Sequence, residues 1–229
     1  MTTLQFDQCR VLLFAKEPQA GRVKTRMHPV LNDAQCVQLH RTLCTHISEK
    51  LASWQLCPTQ LHFDISVEAQ EMTPVFLAQL CQRLNFDLQP QVVGDLGDKM
   101  SAAVQRAFQE EVQGVILLGA DCPFLTREHL QKLLQSLADG HNAAIIPAFD
   151  GGYVALALRH HEGSVFTAVD WGSDQVFSQT LSNFDALKWR YESLPALADI
   201  DRPDDLQLLQ HSDNTALKVL GQLSLGAKV

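Results

Sequence analysis

The 229-residue sequence predicts a three-layer α/β/α fold around a mostly parallel, mixed sheet. Short, continuously apolar runs alternate with longer segments whose apolar residues recur at helical spacing. The loops that leave these runs are rich in Gly, Pro and charge. In such a doubly wound sheet ligands bind beyond the carboxyl ends of the strands, so those loops are where chemistry is expected.

The run at residues 10–15 has the composition of a strand buried on both faces and is the expected first, central strand. The loop after it is broken by Pro18 and Gly21, and a helical pattern then runs over about residues 33–53. A second strand is expected at 60–65. Thr73 and Pro74 suit the N-cap and first position of a helix carrying Phe76, Leu77, Leu80 and Leu84 on one face. That helix leads to a strand ending at Val93 and a turn over 94–99. A helix with Met100, Val104, Ala107 and Phe108 on its apolar face follows. Residues 114–118 form another buried strand, and Thr126 caps a helix reaching about Ala138. Strands at 143–147 and 152–158 flank a Gly-rich turn. Pro203 opens a last helix with Asp204 and Asp205 in its electropositive first turn.

Composition bounds the function classes. With 46% hydrophobic and 19% charged residues, and no repeat or linker, residues 1–229 read as one domain. The net charge of −8 argues against broad nucleic-acid binding, which needs a basic surface. No apolar stretch approaches a membrane span and the N-terminus lacks a signal pattern, so a cytoplasmic protein without membrane partners is expected. Six cysteines without a CxxC pair point to reduced thiols rather than zinc or disulfides.

Three constellations carry the candidate chemistry. The loop at 15–26 sets Lys16, Arg22, Lys24 and Arg26 against the single anion Glu17. Gly21 lets backbone approach a ligand, and exposed amides from Ala15 onward, with Lys16, Lys24 and Arg26, suit a diphosphate. A solvated basic loop is the plainer alternative. Asp121 follows a buried strand, where a hard oxygen ligand suits Mg²⁺ or Mn²⁺ shared with phosphates. Asp150 ends another strand beside Gly151, Gly152 and Tyr153; it is a second candidate ligand bordering an acceptor, although Asp-Gly-Gly by itself also reads as a hairpin turn. In 94–101, amides and Ser101 at a helix start are placed to meet a base or ribose, with capping by Asp98 an equal account. Trp171 offers an aromatic wall. The nine histidines show no metal spacing, and Cys122 reads as a structural thiol.

The segments FAKEPQAGRVKTRM, GDLGDKM, LGADCPFLT, PAFDGGYVAL, DWGSDQV and LADIDRPDDL, in this order over about residues 10–209, resemble the selenodomain-associated transferases. These are also called the arsenosugar-biosynthesis-type glycosyltransferase family and are similar to the nucleotide-diphospho-sugar transferase (GT-A, Rossmann-like) superfamily. The resemblance implies that Ala15, Lys16, Gly21, Lys24 and Arg26 cradle nucleotide phosphates and that Gly97, Lys99 and Ser101 lie beside the base. It also makes Asp121 the metal ligand and sets Asp150, Gly151, Gly152 and Tyr153 on the acceptor side. The leading expectation is glycosyl transfer from a nucleotide-sugar, with Asp121 and Asp150 on Mg²⁺ or Mn²⁺ and Lys24 and Arg26 offsetting leaving-group charge. The rival is nucleotidyl transfer from an NTP to a phosphorylated acceptor; a third reading is a nucleotide-binding protein without catalysis. The expected partners are the nucleotide donor and a small-molecule acceptor, with a homodimer left open.

Overall fold

Continuously apolar runs become strands here because both of their faces are covered by helices. The computed structural model describes residues 4–64 and 74–222. Its strands are β1 (Cys9–Ala15), β2 (Thr59–Phe63), β3 (Asp87–Pro90), β4 (Gly114–Gly119), β5 (Ala143–Pro147), β6 (Tyr153–Leu158) and β7 (Tyr191–Ser193). They form one sheet in the order β3-β2-β1-β4-β6-β5-β7, in which β6 alone runs antiparallel to its neighbours. The carboxyl ends of the six other strands therefore share one edge.

The helices α1 (Asp33–Trp54), α2 (Val75–Leu84), α3 (Leu96–Gln109), α4 (Arg127–Ala138), α5 (Val176–Ala186) and α6 (Thr215–Gln222) divide between three cores. One face of the sheet packs Val11, Leu13, Ile116 and Leu118 under α1, α2 and α4. The opposite face packs Leu12, Val115, Leu117 and Leu156 under Met100 and Val104 of α3 and Phe184 of α5. A third core joins Leu39 and Leu43 of α1 to Met27, Leu31, Ile200, Leu206 and Leu217. That cluster matters for function because it seats the loop after β1 and the segment around Ile200 on the same support.

The departures from expectation are local. Ile65 and Thr73 lie outside the described residues, and Pro74 is the N-cap of α2 rather than its first helical position. β3 stops at Pro90, short of Val93. The turn expected at 94–99 is already helix from Leu96, because Asp95 and Asp98 form a reciprocal cap: Asp98 N donates to Asp95 Oδ1 at 2.9 Å and Asp95 N to Asp98 Oδ2 at 3.2 Å. Pro203 opens a 3-10 helix, Pro203–His211, and α6 follows it. No helix among the described residues is long and apolar enough to cross a membrane.

Candidate active site

The loop after β1 is tied down at both ends. At its start, Glu17 accepts from Phe76 N at 2.8 Å and Leu77 N at 3.1 Å, placing a carboxylate on the unsatisfied amides of the α2 N-terminus. His40 Nε2, on α1, lies 2.9 Å from the Lys16 carbonyl. A carbonyl only accepts, so Nε2 carries the hydrogen. Burial lowers the His40 pKa, which keeps the ring neutral. At the far end Met27 and Leu31 are fully buried.

Between these anchors Lys24 adopts a left-handed conformation (φ 52°, ψ 33°) that turns its side chain inward. Its ammonium lies 2.6 Å from the Ile200 carbonyl, 2.9 Å from Asp121 Oδ1 and 3.6 Å from Asp201 Oδ1. Burial works to lower the Lys24 pKa, but Asp121 and Asp201 outweigh it and hold it above the ordinary lysine value. For Asp121, burial opposes ionisation while the Lys24 ammonium favours it more strongly, so its pKa is lowered. Asp121 Oδ1 is buried and has the Lys24 ion pair rather than a well-aligned hydrogen bond; 41% of the side chain remains exposed. Arg26 donates to Asp201 Oδ2 at 2.9 Å. The turn after Asp121 is fixed by Lys50, which donates to the Pro123 carbonyl at 2.8 Å, and by Ile200 N donating to the Asp121 carbonyl at 2.9 Å.

These groups line a cavity of about 540 Å³ at the carboxyl edge of the sheet. Lys16, Arg22, Lys24, Arg26, Asp121 and Asp201 come from the loops after β1, β4 and β7. Phe14, Asp64, Gln91, Leu96 and Lys99 come from the β1, β2, β3 and α3 side. Of the residues expected in the site, the cavity gathers Ala15, Lys16, Lys24, Arg26, Lys99 and Asp121. Gly97 packs on the far side of α3, where an added Cβ would come within 2.5 Å of Trp171 Nε1 and 2.9 Å of the Phe166 carbonyl. Ser101 Oγ lies 3.0 Å from His161 Nε2, and Tyr153 donates to Met100 Sδ at 3.7 Å while meeting Trp171 edge to face. Asp150 Oδ1 accepts from Gly152 N at 2.9 Å, so the hairpin reading of this turn holds. At Gly151, φ 92°, an added Cβ would run into the Asp174 backbone.

The groups not singled out from sequence are Asp199, Asp201, Asp64 and Gln91. Asp199 is pushed up to about 6 by burial and then by Asp150, with a further contribution from Asp121, so these carboxylates face a common region. Among the described residues no three His, Cys, Asp or Glu side chains form a ready metal cage. A hard divalent cation takes one or two carboxylates and completes its shell with substrate phosphates and water, and Asp121, with Asp150 and Asp199 facing the same region, is of the donor type such an ion takes.

Sheet order, strand-end loops and cavity together are those of the nucleotide-diphospho-sugar transferase fold. Over 96% of its length the chain superposes on 98% of a Desulfovibrio desulfuricans G20 protein provisionally assigned as a nucleotide-diphospho-sugar transferase, with TM-score 0.84 and 26% identity. Residues 48–173 match the family described as "Uncharacterized protein conserved in bacteria (DUF2064)", and the chain belongs to that family. It is also similar to the 2-phospho-L-lactate guanylyltransferase of Haloarcula marismortui, 34% identical over 106 residues that make up 45% of this chain and 48% of the relative. The enzyme of the same name from Methanosarcina mazei is 28% identical over 119 residues, 51% of this chain and 55% of the relative. The chain spans about half the length of these curated relatives.

Proposed function

We propose that this chain is a nucleotidyltransferase, a single nucleotide-diphospho-sugar transferase-like domain that moves an NMP group from an NTP to a phosphorylated small-molecule acceptor. The reading expected first, glycosyl transfer, gives way to this alternative. One observation carries the choice: five cations, Lys16, Arg22, Lys24, Arg26 and Lys99, line the cavity against three carboxylates, Asp64, Asp121 and Asp201. The excess of two positive charges, with a divalent cation added, balances the roughly four negative charges of an ionised triphosphate better than the smaller charge of a nucleotide-sugar diphosphate. The names of the two curated relatives, both guanylyltransferases, point the same way.

In this reading an acceptor phosphate oxygen attacks the α-phosphorus, the bond to the bridging oxygen breaks, and pyrophosphate leaves with its electron pair. Lys24 and Arg26 stabilise the charge that gathers on the α-phosphate and leaving group. Ala15, Lys16 and Gly21 supply the loop backbone and cation around the β- and γ-phosphates. The ties from Glu17 and His40 keep that loop from having to reorganise. Asp121 and Asp150 would hold Mg²⁺ or Mn²⁺, with Asp199 facing the same region, and the ion would supply charge neutralisation on the phosphate oxygens. Asp150, Gly151 and Gly152 border the acceptor side, while Gly97, Tyr153, Trp171 and Ser101 support α3 beneath the base.

Glycosyl transfer remains the second reading because the Desulfovibrio protein carries a sugar-transferase assignment and because of the resemblance to the selenodomain-associated, arsenosugar-type branch. Thermal unfolding with Mn²⁺ and a series of nucleotides separates the two. Saturating NTP is expected to stabilise the fold by about 2.7 kcal/mol at a hundred times its Kd, with nucleotide-sugars well below that. Stabilisation by nucleotide-sugars alone would overturn the nucleotidyl reading.

A further inference from the structure

We propose that His46 and Lys50, two α1 residues outside the cavity, are positioning residues that set the metal affinity of Asp121 through the Pro123 carbonyl, with Asn214 holding His46 in the form this requires. The inference rests on the reading of Asp121 as a metal ligand. His46 and Lys50 stand one turn apart on α1, so their side chains share a face. Lys50 Nζ donates to the Pro123 carbonyl at 2.8 Å and to the Leu125 carbonyl at 3.3 Å. His46 Nε2 lies 3.3 Å from the same Pro123 carbonyl. One carbonyl, two residues beyond Asp121, is thus held by two side chains of one helix.

The direction of the His46 bond is fixed from the far end of the chain. Asn214 Oδ1 accepts from Leu217 N at 3.1 Å and so caps α6. With its oxygen placed there, the Asn214 amide presents Nδ2, a donor, to His46 Nδ1 at 3.2 Å. Nδ1 therefore accepts, the ring hydrogen sits on Nε2, and Nε2 donates to Pro123. Burial, and then the Lys50 charge, lowers the His46 pKa, so the ring is neutral at pH 7 and the choice of tautomer matters. Asp213 Oδ1 stands farther off, 3.7 Å from His46 Nε2 and 3.8 Å from Lys50 Nζ, on a mostly exposed side chain.

A carboxylate carried on a turn needs support from outside the turn. The Asp121 carbonyl is held by Ile200 N at 2.9 Å, whereas the bond inside the turn, from Leu125 N to the Cys122 carbonyl, is long at 3.4 Å. The clamp from α1 supplies the second fixed point. Without it the peptide between Asp121 and Pro123 can rotate, and the carboxylate loses its fixed placement against the substrate phosphates. Partners that orient a metal ligand in this way change metal affinity by about 10- to 100-fold when removed. A tie that merely joined α1 to the loop would alter stability and leave metal affinity alone.

Calorimetric titration of the whole chain with the α,β-methylene analogues of GTP, ATP, CTP and UTP, which cannot release pyrophosphate, tests this. The tightest of the four is titrated in Mg²⁺ and again in EDTA, and the ratio of the two affinities isolates the metal-dependent part. His46→Gln keeps a donor where Nε2 stood, and His46→Asn keeps an acceptor near Nδ1 but loses Pro123. The ratio is expected to fall about tenfold in His46→Asn and in Lys50→Met and to stay within about twofold of the wild type in His46→Gln, with affinity in EDTA unchanged in all three. An unchanged ratio in His46→Asn and Lys50→Met, or an equal fall in His46→Gln, would overturn the proposal. A wild-type ratio of one removes the metal reading of Asp121 and the proposal with it; if the wild type binds none of the analogues, the nucleotidyltransferase reading fails.

Discussion

Lys24 answers three demands at once: a left-handed backbone, a fully desolvated ammonium, and contacts to the Asp121, Ile200 and Asp201 region. Replacing it with Met keeps the stem but leaves Asp121 without its cation and Asp201 with Arg26 alone. Lys24→Met is expected to lose about 2 kcal/mol in urea unfolding, the partial exposure of both carboxylates holding the cost below that of a fully buried pair. The same variant is expected to lose nearly all NTP affinity, whereas a purely structural lysine would cost stability and spare binding. Gly151 sets a different kind of limit. At φ 92° and against the Asp174 backbone it has no room for a Cβ, so Gly151→Ala is expected to lower stability by roughly 2 kcal/mol or more, read as a fall in thermal midpoint.

At the scale of elements, the loop after β1 depends on helices far from it in sequence. Glu17 caps α2, so Glu17→Ala is expected to cost about 1.5 kcal/mol. It is also expected to raise KM for the NTP more than it lowers kcat, because the loop loses an anchor rather than a catalytic group. Initial-rate kinetics with denaturant unfolding check both. This dependence also explains what could be read beforehand. β1, β4, β5 and β6 were legible as apolar runs, and α4 from the cap at Thr126 and its apolar period. The start of α3 was not, because its reciprocal cap uses Asp at both positions where Glu or Gln usually closes it. β7 was not legible either: two half-buried residues and an exposed one carry no pattern, and pairing with β5 makes them a strand. In the site, the cation loop and Asp121 stood out by local charge and position. Asp201 did not, since its link to Lys24 and Arg26 joins residues more than 170 positions apart. Asp64 is a lone carboxylate at a strand end until Lys99 is folded against it.

The whole molecule closes the loops after β1 and β7 onto one core, so loss of packing there should reach the site. Leu206 and Leu209 are fully buried in that core, and Leu206→Ala is expected to cost about 3 kcal/mol. Acid sensitivity is a property of the whole fold as well. Burial lowers the pKa of His40 and His46 and takes His62, stacked on Phe14, down to about 4. The unfolded chain protonates these rings below about pH 6.5, and the folded chain resists until lower pH, so the unfolded state binds more protons between those values. Stability is therefore flat with respect to these groups above pH 6.5 and falls toward pH 4, by about 3 kcal/mol for His62 alone. Urea unfolding at pH 7 and pH 4.5 checks it, and His62→Gln is expected to make the loss shallower.

The central claim is that the cavity transfers a nucleotidyl group, and the products of one incubation decide it. GTP, Mg²⁺ and a series of phosphorylated hydroxy acids, beginning with 2-phospho-L-lactate, are followed for pyrophosphate and by mass spectrometry for the joined product. The predicted result is pyrophosphate and an acceptor linked to GMP through a diphosphate, in equal amounts, both lost in Asp121→Asn. Release of nucleoside diphosphate from a nucleotide-sugar, with no pyrophosphate from any NTP, would contradict it.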